Sequence, residues 1–220
     1  MIAALQDITT PRHLHNDGAR GAAALKRIVT LEEFEEIAAA LPDEKLELIN
    51  GEIEMAPPPD KFHIEKSDLL LELFAAHLTE IAALNCQISQ SCWLTVPTEM
   101  HELWVREGVR GPSNVGPDLA IRYRDYLQTN RRPPALLVVE VISVSSQREI
   151  DRDLIRKPDI YATLEIPTYW VVDRRDQSVW VHTNPRDGHY AKREQCKGRR
   201  KLPAPGLEFL PITAAKIFGG

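Results

Sequence analysis

The chain has 220 residues, 43% of them hydrophobic, which suits one domain of ordinary to large size. Its formal charge of −5 excludes a global attraction to nucleic acid or to an anionic membrane, so any such contact has to be local. Cys86, Cys92 and Cys196 lack C-x-x-C spacing, which argues against a disulfide framework or zinc knuckle and for reduced thiols in the cytoplasm, and no run of about 18 apolar residues offers a membrane span.

Residues 1–27 are poor in large apolar side chains and have no basic start followed by an apolar core. They read as a flexible tail without signal-peptide character, in which His13 and His15 are solvated side chains rather than metal contacts, the alternative for them, and residues 28–220 as a single domain. "TLEEFEEIAAAL" opens with Thr30 as N-cap and Glu33 three positions on, predicting a capped amphipathic helix. "KLELINGEIEM" alternates on both sides of Asn50-Gly51, the signature of a β-hairpin whose turn needs positive φ. A long helix is expected over about 61–84, with Leu70, Phe74, Leu78 and Ile81 as its apolar stripe. Residues 86–96 contain strand formers, 97–116 read as a long loop, and "PDLAIRY" at 117–123 as a short strand.

"ALLVVEVISV" at 135–144 is a strand buried on both faces, yet it contains Glu140. Alternation puts Leu136, Val138, Glu140 and Ile142 on one face. A lone carboxylate there would cost several kcal/mol or take up a proton. Asp118 stands at the start of the preceding strand and can converge on the same point. Two such carboxylates would share a proton or hold a cation, and hard oxygen donors match Mg²⁺ or Mn²⁺. In the next helix, from Ser146 to about Leu164, Ser146 and Glu149 make a capping box. Ile150, Leu154 and Tyr161 form its apolar stripe, with Lys157 inside it. A buried Lys157 and a buried Glu140 answer each other, either as a structural ion pair or as part of an active site. Pro158 biases Lys157 away from helical geometry and predicts a break there. "TYWVVDRRDQSVWVH" at 168–182 is a second hairpin turning at Asp173–Asp176, with Trp170 and Trp180 in its core, and edge strands are expected within 189–212. The order of elements describes a mixed α/β or α+β domain with helices on a central sheet.

"GPDLAIRY", "LLVVEVISVSS" and "DRDLIRKPDIYATLEIPTYWVVD", with the upstream "KLELINGEIEMAPPP", together resemble the Uma-type restriction endonuclease family of bacteria. That family belongs to the PD-(D/E)xK nuclease superfamily. The resemblance spans about residues 28–182. It implies a restriction-endonuclease-like core, a central mixed β-sheet flanked by helices, preceded by an N-terminal helix and β-hairpin. It also implies a metal-dependent endonuclease hydrolysing DNA, with Mg²⁺ (or Mn²⁺) as cofactor. Asp118 would be the aspartate of the first motif and Glu140 the acidic residue of the second. Ile142 stands where the superfamily has lysine, and the resemblance implies that Lys157 takes over that role. Glu47 and His63 match positions that would complete the site. For Glu47 the alternative is a solvent-facing hairpin residue, and for His63 plain packing at the helix start.

Two basic stretches could meet a phosphate backbone. Arg148, Arg152 and Arg156 share an i, i+4, i+8 stripe, although the interleaved acids also suit a salt-bridged solvent face. "KREQCKGRRK" at 192–201, containing Lys192, Arg193, Arg199 and Arg200, is either a DNA contact or a solvated hairpin. No G-x-S-x-G, glycine-rich phosphate loop or G-x-G-x-x-G is present. The competing function is a non-catalytic nuclease-fold protein that binds nucleic acid or a protein. A homodimer is expected by analogy with enzymes that cut both strands of a duplex.

Overall fold

A computed structural model describes residues 27–90, 92–96, 111–129, 132–142 and 147–220. Helix α1 (Leu31–Ala40) starts at the expected capping box: Thr30 accepts from the Glu33 N–H, and the Glu33 carboxylate accepts from the Thr30 N–H. Strands β1 (Leu46–Ile49) and β2 (Glu52–Met55) pair across Asn50-Gly51. Both turn residues have positive φ, 53° and 76°, as a tight hairpin demands. Helix α2 (Lys61–Ala75) is capped by Asp60, whose side chain accepts from the His63 N–H at 2.8 Å. The chain then turns at Ala76–His77 before α3 (Leu78–Ala83). The expected single helix is therefore two. Leu70, Phe74 and Ile81 are buried as the stripe requires, but the turn rotates the phase and leaves Leu78 53% exposed.

The remaining elements are β3 (Cys86–Gln90), β4 (Leu94–Val96), β5 (Ser113–Val115), β6 (Leu119–Tyr123), α4 (Tyr126–Thr129), β7 (Ala135–Ile142), α5 (Gln147–Asp151), a π-turn (Arg152–Arg156), α6 (Lys157–Thr163), β8 (Thr168–Asp173), β9 (Ser178–Arg186), β10 (His189–Cys196) and α7 (Ala214–Phe218). They build two sheets of order β2-β1-β5-β4 and β10-β9-β8-β7-β6-β3. The larger is mixed: β7 and β8 are parallel and the other neighbours antiparallel. The hairpin expected at 168–182 is the β8–β9 pair, and β10 extends it to the sheet's edge. Strand β5 lies in the stretch expected to be loop. The rest of that stretch, residues 97–110 with Trp104, falls outside the described residues, as do the expected tail through residue 26, with His13 and His15, and the Ser146 cap.

Strand β7 runs through the centre of the large sheet and is covered on both faces. Leu137, Val139 and Val141 pack into one apolar cluster with Leu70 and Phe74 of α2. Ala135, Val138 and Ile142 pack into another with Ile160 and Tyr161 of α6. Contrary to simple alternation, Leu136 does not share the face of Glu140. Ile121 pairs with Leu137 but Arg122 with Ala135, so Leu136 is an unpaired bulge residue and packs against the α2 side. Among the described residues, no helix is long and apolar enough to cross a membrane.

Candidate active site

The central strand brings the two acidic positions together by register. Leu119 pairs with Val139 across β6 and β7, so Asp118, one step earlier, falls opposite Glu140. Asp118 is pinned by its oxygen Oδ2, which accepts from the Val141 backbone N–H at 2.8 Å and lies 2.9 Å from His63 Nε2. Lys45 Nζ is 3.5 Å from Oδ1. His63 therefore does more than pack at the start of α2: it faces the aspartate.

Glu140 is 3% exposed and Lys157 1%. Lys157 Nζ donates to Glu140 Oε1 at 2.8 Å and to Glu47 Oε1 at 3.1 Å, with Asp153 Oδ1 at 3.5 Å. The hydroxyl of Tyr161 donates to the same Glu140 oxygen at 2.7 Å. Glu47 is 1% exposed, which overturns the solvent-facing alternative. Its Oε1 also accepts from the Gly116 N–H at 2.9 Å. Its Oε2 is 3.0 Å from Lys157 Nζ but has no hydrogen-bond donor among the described residues. Arg152 grips Asp153 through two hydrogen bonds, at 2.9 and 3.1 Å. A buried cluster of two cations, Lys157 and Arg152, thus faces three carboxylates, Glu47, Glu140 and Asp153.

The helix reaches this geometry through the π-turn. The Lys157 N–H bonds to the Arg152 carbonyl, five residues back, rather than four. Pro158 does not end the helix as its lack of an N–H suggests; it sits in the first turn of α6, where a missing donor costs least. The π-turn carries the local distortion instead, a common arrangement at functional sites.

Electrostatics separates the two carboxylates. Burial works against the ionised form of Asp118, but the hydrogen bond and charge of His63, then Lys45 and the Val141 N–H, hold its pKa down to about 2. Burial pushes Glu140 up to about 8. Lys157 opposes this, while Asp118, Asp153 and Glu47 reinforce it. Burial lowers the pKa of Lys157, but Glu140, Glu47 and Asp153 outweigh it and hold the lysine well above its usual range. Burial likewise opposes protonation of His63, and Asp118 overcomes it, raising the imidazole. These groups line a pocket of about 340 Å³ enclosed by the β1–β2 hairpin, the start of α2, β7 and the α5–α6 crossover.

Among the described residues, no three Asp, Glu, His or Cys side chains are grouped to hold a metal ion by themselves. The donor chemistry nevertheless suits Mg²⁺, which is commonly bound by one or two carboxylates and completes its shell with water and phosphate oxygens. Asp118 and Glu140 are such a pair. Among the described residues, the hydrogen bonds to Glu140 fall on Oε1, which leaves Oε2 for a ligand. The Glu47 Oε2, buried with no donor among the described residues, adds negative potential that a cation would offset.

The structure brings Asp118, Glu140, Lys157, Glu47 and His63 to one pocket. It does not bring the arginines together as an exposed stripe. Arg148 is 71% exposed, but Arg152 is buried against Asp153, and Arg156 is taken up by Glu54, Glu52 and the Ile49 carbonyl. The π-turn breaks the i, i+4 phase, and the acids of the β1–β2 hairpin claim what remains. Lys192, Arg193, Arg199 and Arg200 are exposed at the edge strand and the turn after it. They are three strands from β7, roughly 14 Å at the usual strand spacing. Sequence reasoning missed Lys45, Asp153 and Tyr161. Asp153 carried a signal, standing four residues before Lys157 on the same helix, whereas Tyr161 was disguised as an apolar-stripe residue.

Comparison with known proteins bears on the same region. A family model described as "Uma2: Putative restriction endonuclease" matches residues 31–214. Curated proteins give no match. A solved crystal structure of "a putative nuclease belonging to DUF820" from Anabaena variabilis ATCC 29413 is similar, with a TM-score of 0.60 and 17% identity. The match covers 87% of this chain and 98% of that one. At that identity the likeness is one of fold, and it agrees with a mixed sheet flanked by helices.

Proposed function

The chain belongs to the Uma2 family of putative restriction endonucleases, and from that premise we propose that it is a divalent-metal-dependent endonuclease that hydrolyses DNA phosphodiester bonds. The observation that carries this reading is the placement of a fully buried Lys157, 2.8 Å from Glu140, on the wall of the pocket that also holds Asp118. A buried ion pair is weak evidence for stability, and this one opens onto a polar cavity rather than closing a core.

Asp118, ionised and fixed by His63 and the Val141 N–H, and Glu140, fixed at one oxygen, would hold Mg²⁺ or Mn²⁺. Such an ion supplies Lewis acidity, offsetting phosphate charge and acidifying water. Lys157 keeps its proton among three carboxylates, so it acts as a fixed positive donor toward charge developing on the phosphate, not as a base. Glu47 also accepts from Lys157 and ties it to the β1–β2 hairpin. His63 holds Asp118. The exposed Arg148 and the β10 cations Lys192, Arg193, Arg199 and Arg200 are the candidate contacts to the DNA backbone. A homodimer would present one pocket to each strand of a duplex.

One feature favours the alternative, a nuclease-fold protein that binds nucleic acid or a protein partner without cutting. Lys157 already pairs with both Glu140 and Glu47 without any added ion. Mn²⁺ binding measured by calorimetry, for the intact protein and for Asp118→Ala and Glu140→Ala, followed by plasmid cleavage, separates the two. The nuclease reading expects binding and cutting that both substitutions abolish. Absence of Mn²⁺ binding with and without DNA, with Glu140→Ala losing only stability, would leave the non-catalytic protein.

A further inference from the structure

Glu140 is held asymmetrically. Lys157 Nζ at 2.8 Å and the Tyr161 hydroxyl at 2.7 Å both donate to Oε1. Tyr161 itself has almost no freedom: it is fully buried, and its ring lies 4.8 Å from that of Tyr169. Tyr169, also fully buried, donates to the Asp153 carbonyl at 2.7 Å, inside the π-turn that leads to Lys157. The two tyrosines thus connect both donors of Glu140 to one rigid unit: Tyr161 directly, and Lys157 through the turn that carries it.

Resting on the nuclease reading above, we propose that Tyr161 is a positioning residue that selects which oxygen of Glu140 meets the cation. Two donors saturate Oε1 and fix the carboxylate plane, so Oε2 is presented toward the pocket. Lys157 alone could not do this. A single ammonium, itself shared with Glu47, lets the carboxylate rotate about its last bond and offer either oxygen. A neutral phenol fixes the plane without adding a second positive charge that would repel the ion. Outer partners of this kind typically change metal affinity by 10–100-fold.

The test uses Tyr161→Phe, which keeps the ring packed against Tyr169 and removes only the donor. Mn²⁺ alone is titrated by calorimetry into the full-length protein and the variant, with thermal melts confirming that both are folded. The expected result is a Kd for Mn²⁺ about tenfold or more weaker in Tyr161→Phe. A folded variant with unchanged or tighter Mn²⁺ binding overturns the assignment and leaves the nuclease reading intact. If the unsubstituted protein binds no Mn²⁺, with or without DNA, the reading falls and the assignment falls with it. Should Tyr161→Phe not fold, the ultraviolet difference spectrum of the unsubstituted protein decides. Adding Mg²⁺ should perturb the buried tyrosine signal, because the acceptor of the Tyr161 hydroxyl changes its charge environment, and a flat spectrum overturns the assignment.

Discussion

Around the β7–α6 crossover, Lys157 and Arg152 are buried among Glu47, Glu140 and Asp153, whereas along β10 and the turn after it Lys192, Arg193, Arg199 and Arg200 stand in solvent. The exposed region has ion pairs too: Glu194 receives Lys192 at 3.1 Å and Arg200 at close range. The difference lies in what surrounds the charges. In the exposed strand, water offers each charge an alternative partner, so the pairs contribute little. In the crossover no such alternative exists, and each ion depends on its neighbours. Composition alone makes the β10 stretch look like the functional one, with six of ten residues Lys or Arg in 192–201. Burial instead sets apart the crossover, where each charge depends on its neighbours.

The two regions should differ most in stability at Lys157. Lys157→Met removes the shared cation and leaves Glu140 and Glu47 buried without it, which should cost about 3–5 kcal/mol of folding stability. Lys192→Met should leave the urea midpoint unchanged. Equal effects of the two substitutions would mean that the crossover network is hydrated and energetically no different from the edge strand.

His182 links the two regions, buried beneath the edge strand with its ring 5.4 Å from Tyr169 and 5.7 Å from Tyr190. Its Nε2 has no hydrogen-bond partner among the described residues. Burial, with Arg193 adding to it, holds its pKa down to about 4. The folded state therefore binds this proton less readily than the unfolded chain, whose histidine titrates near 6.5. The associated stability is fully present above about pH 6.5 and is lost as pH falls toward 4, on the order of 2–3 kcal/mol. Urea titrations at pH 7 and pH 4.5 should show a smaller loss for His182→Phe than for the parent. An identical loss would place the acid sensitivity in the carboxylates instead.

A smaller effect is expected within the small sheet, where the β1–β2 turn meets the chain entering β5. A Cβ at Gly111 would come 2.9 Å from the Gly51 Cα, and backbone cannot yield there as a side-chain tip can. Gly111→Ala should therefore cost about 1–3 kcal/mol and loosen the hairpin that delivers Glu47 to Lys157. Gly198→Ala is the comparison in open space, since nothing lies within 4 Å of its Cβ. It is strained only by its φ of +65°.

How far the site was legible in the sequence follows from the range of each contact. The Asn50-Gly51 turn, the Thr30–Glu33 cap and the apolar run around Glu140 are local, and their chemistry can be read within a few residues. Glu140 and Lys157 were visible as anomalies, polar groups where the pattern demands apolar ones, and Asp118 from its place at the start of the neighbouring strand; those signals survive without knowledge of the fold. Strand β5 gave no such signal: "SNV" becomes a strand only because β1 and β4 pair on either side of it. The bulge at Leu136 and the π-turn before Lys157 each displace the phase by a residue, which periodicity assumes away. Tyr161 was hidden for another reason. Its ring satisfies the apolar stripe, so only the distant carboxylate reveals the hydroxyl's work.

The basic edge then poses the finest test, because its folding role is small and any role it has must be in binding. If Lys192, Arg193, Arg199 and Arg200 follow a phosphate backbone, removing one such cation should reduce the slope of log affinity against log salt by roughly 0.9. Arg193 is a special case among them. Its guanidinium lies over the Trp180 ring at 4.3 Å, which fixes its direction and limits its reach. Arg199→Ala should therefore lower the slope more than Arg193→Ala does, measured by fluorescence anisotropy with duplex DNA in Ca²⁺ across a salt series. A slope unchanged by Ala at each of Lys192, Arg193, Arg199 and Arg200 would remove β10 from the interface. DNA would then have to approach through Arg148 and the pocket mouth, and the most basic stretch of the sequence would be a solubilising edge that keeps β10 from pairing with another strand.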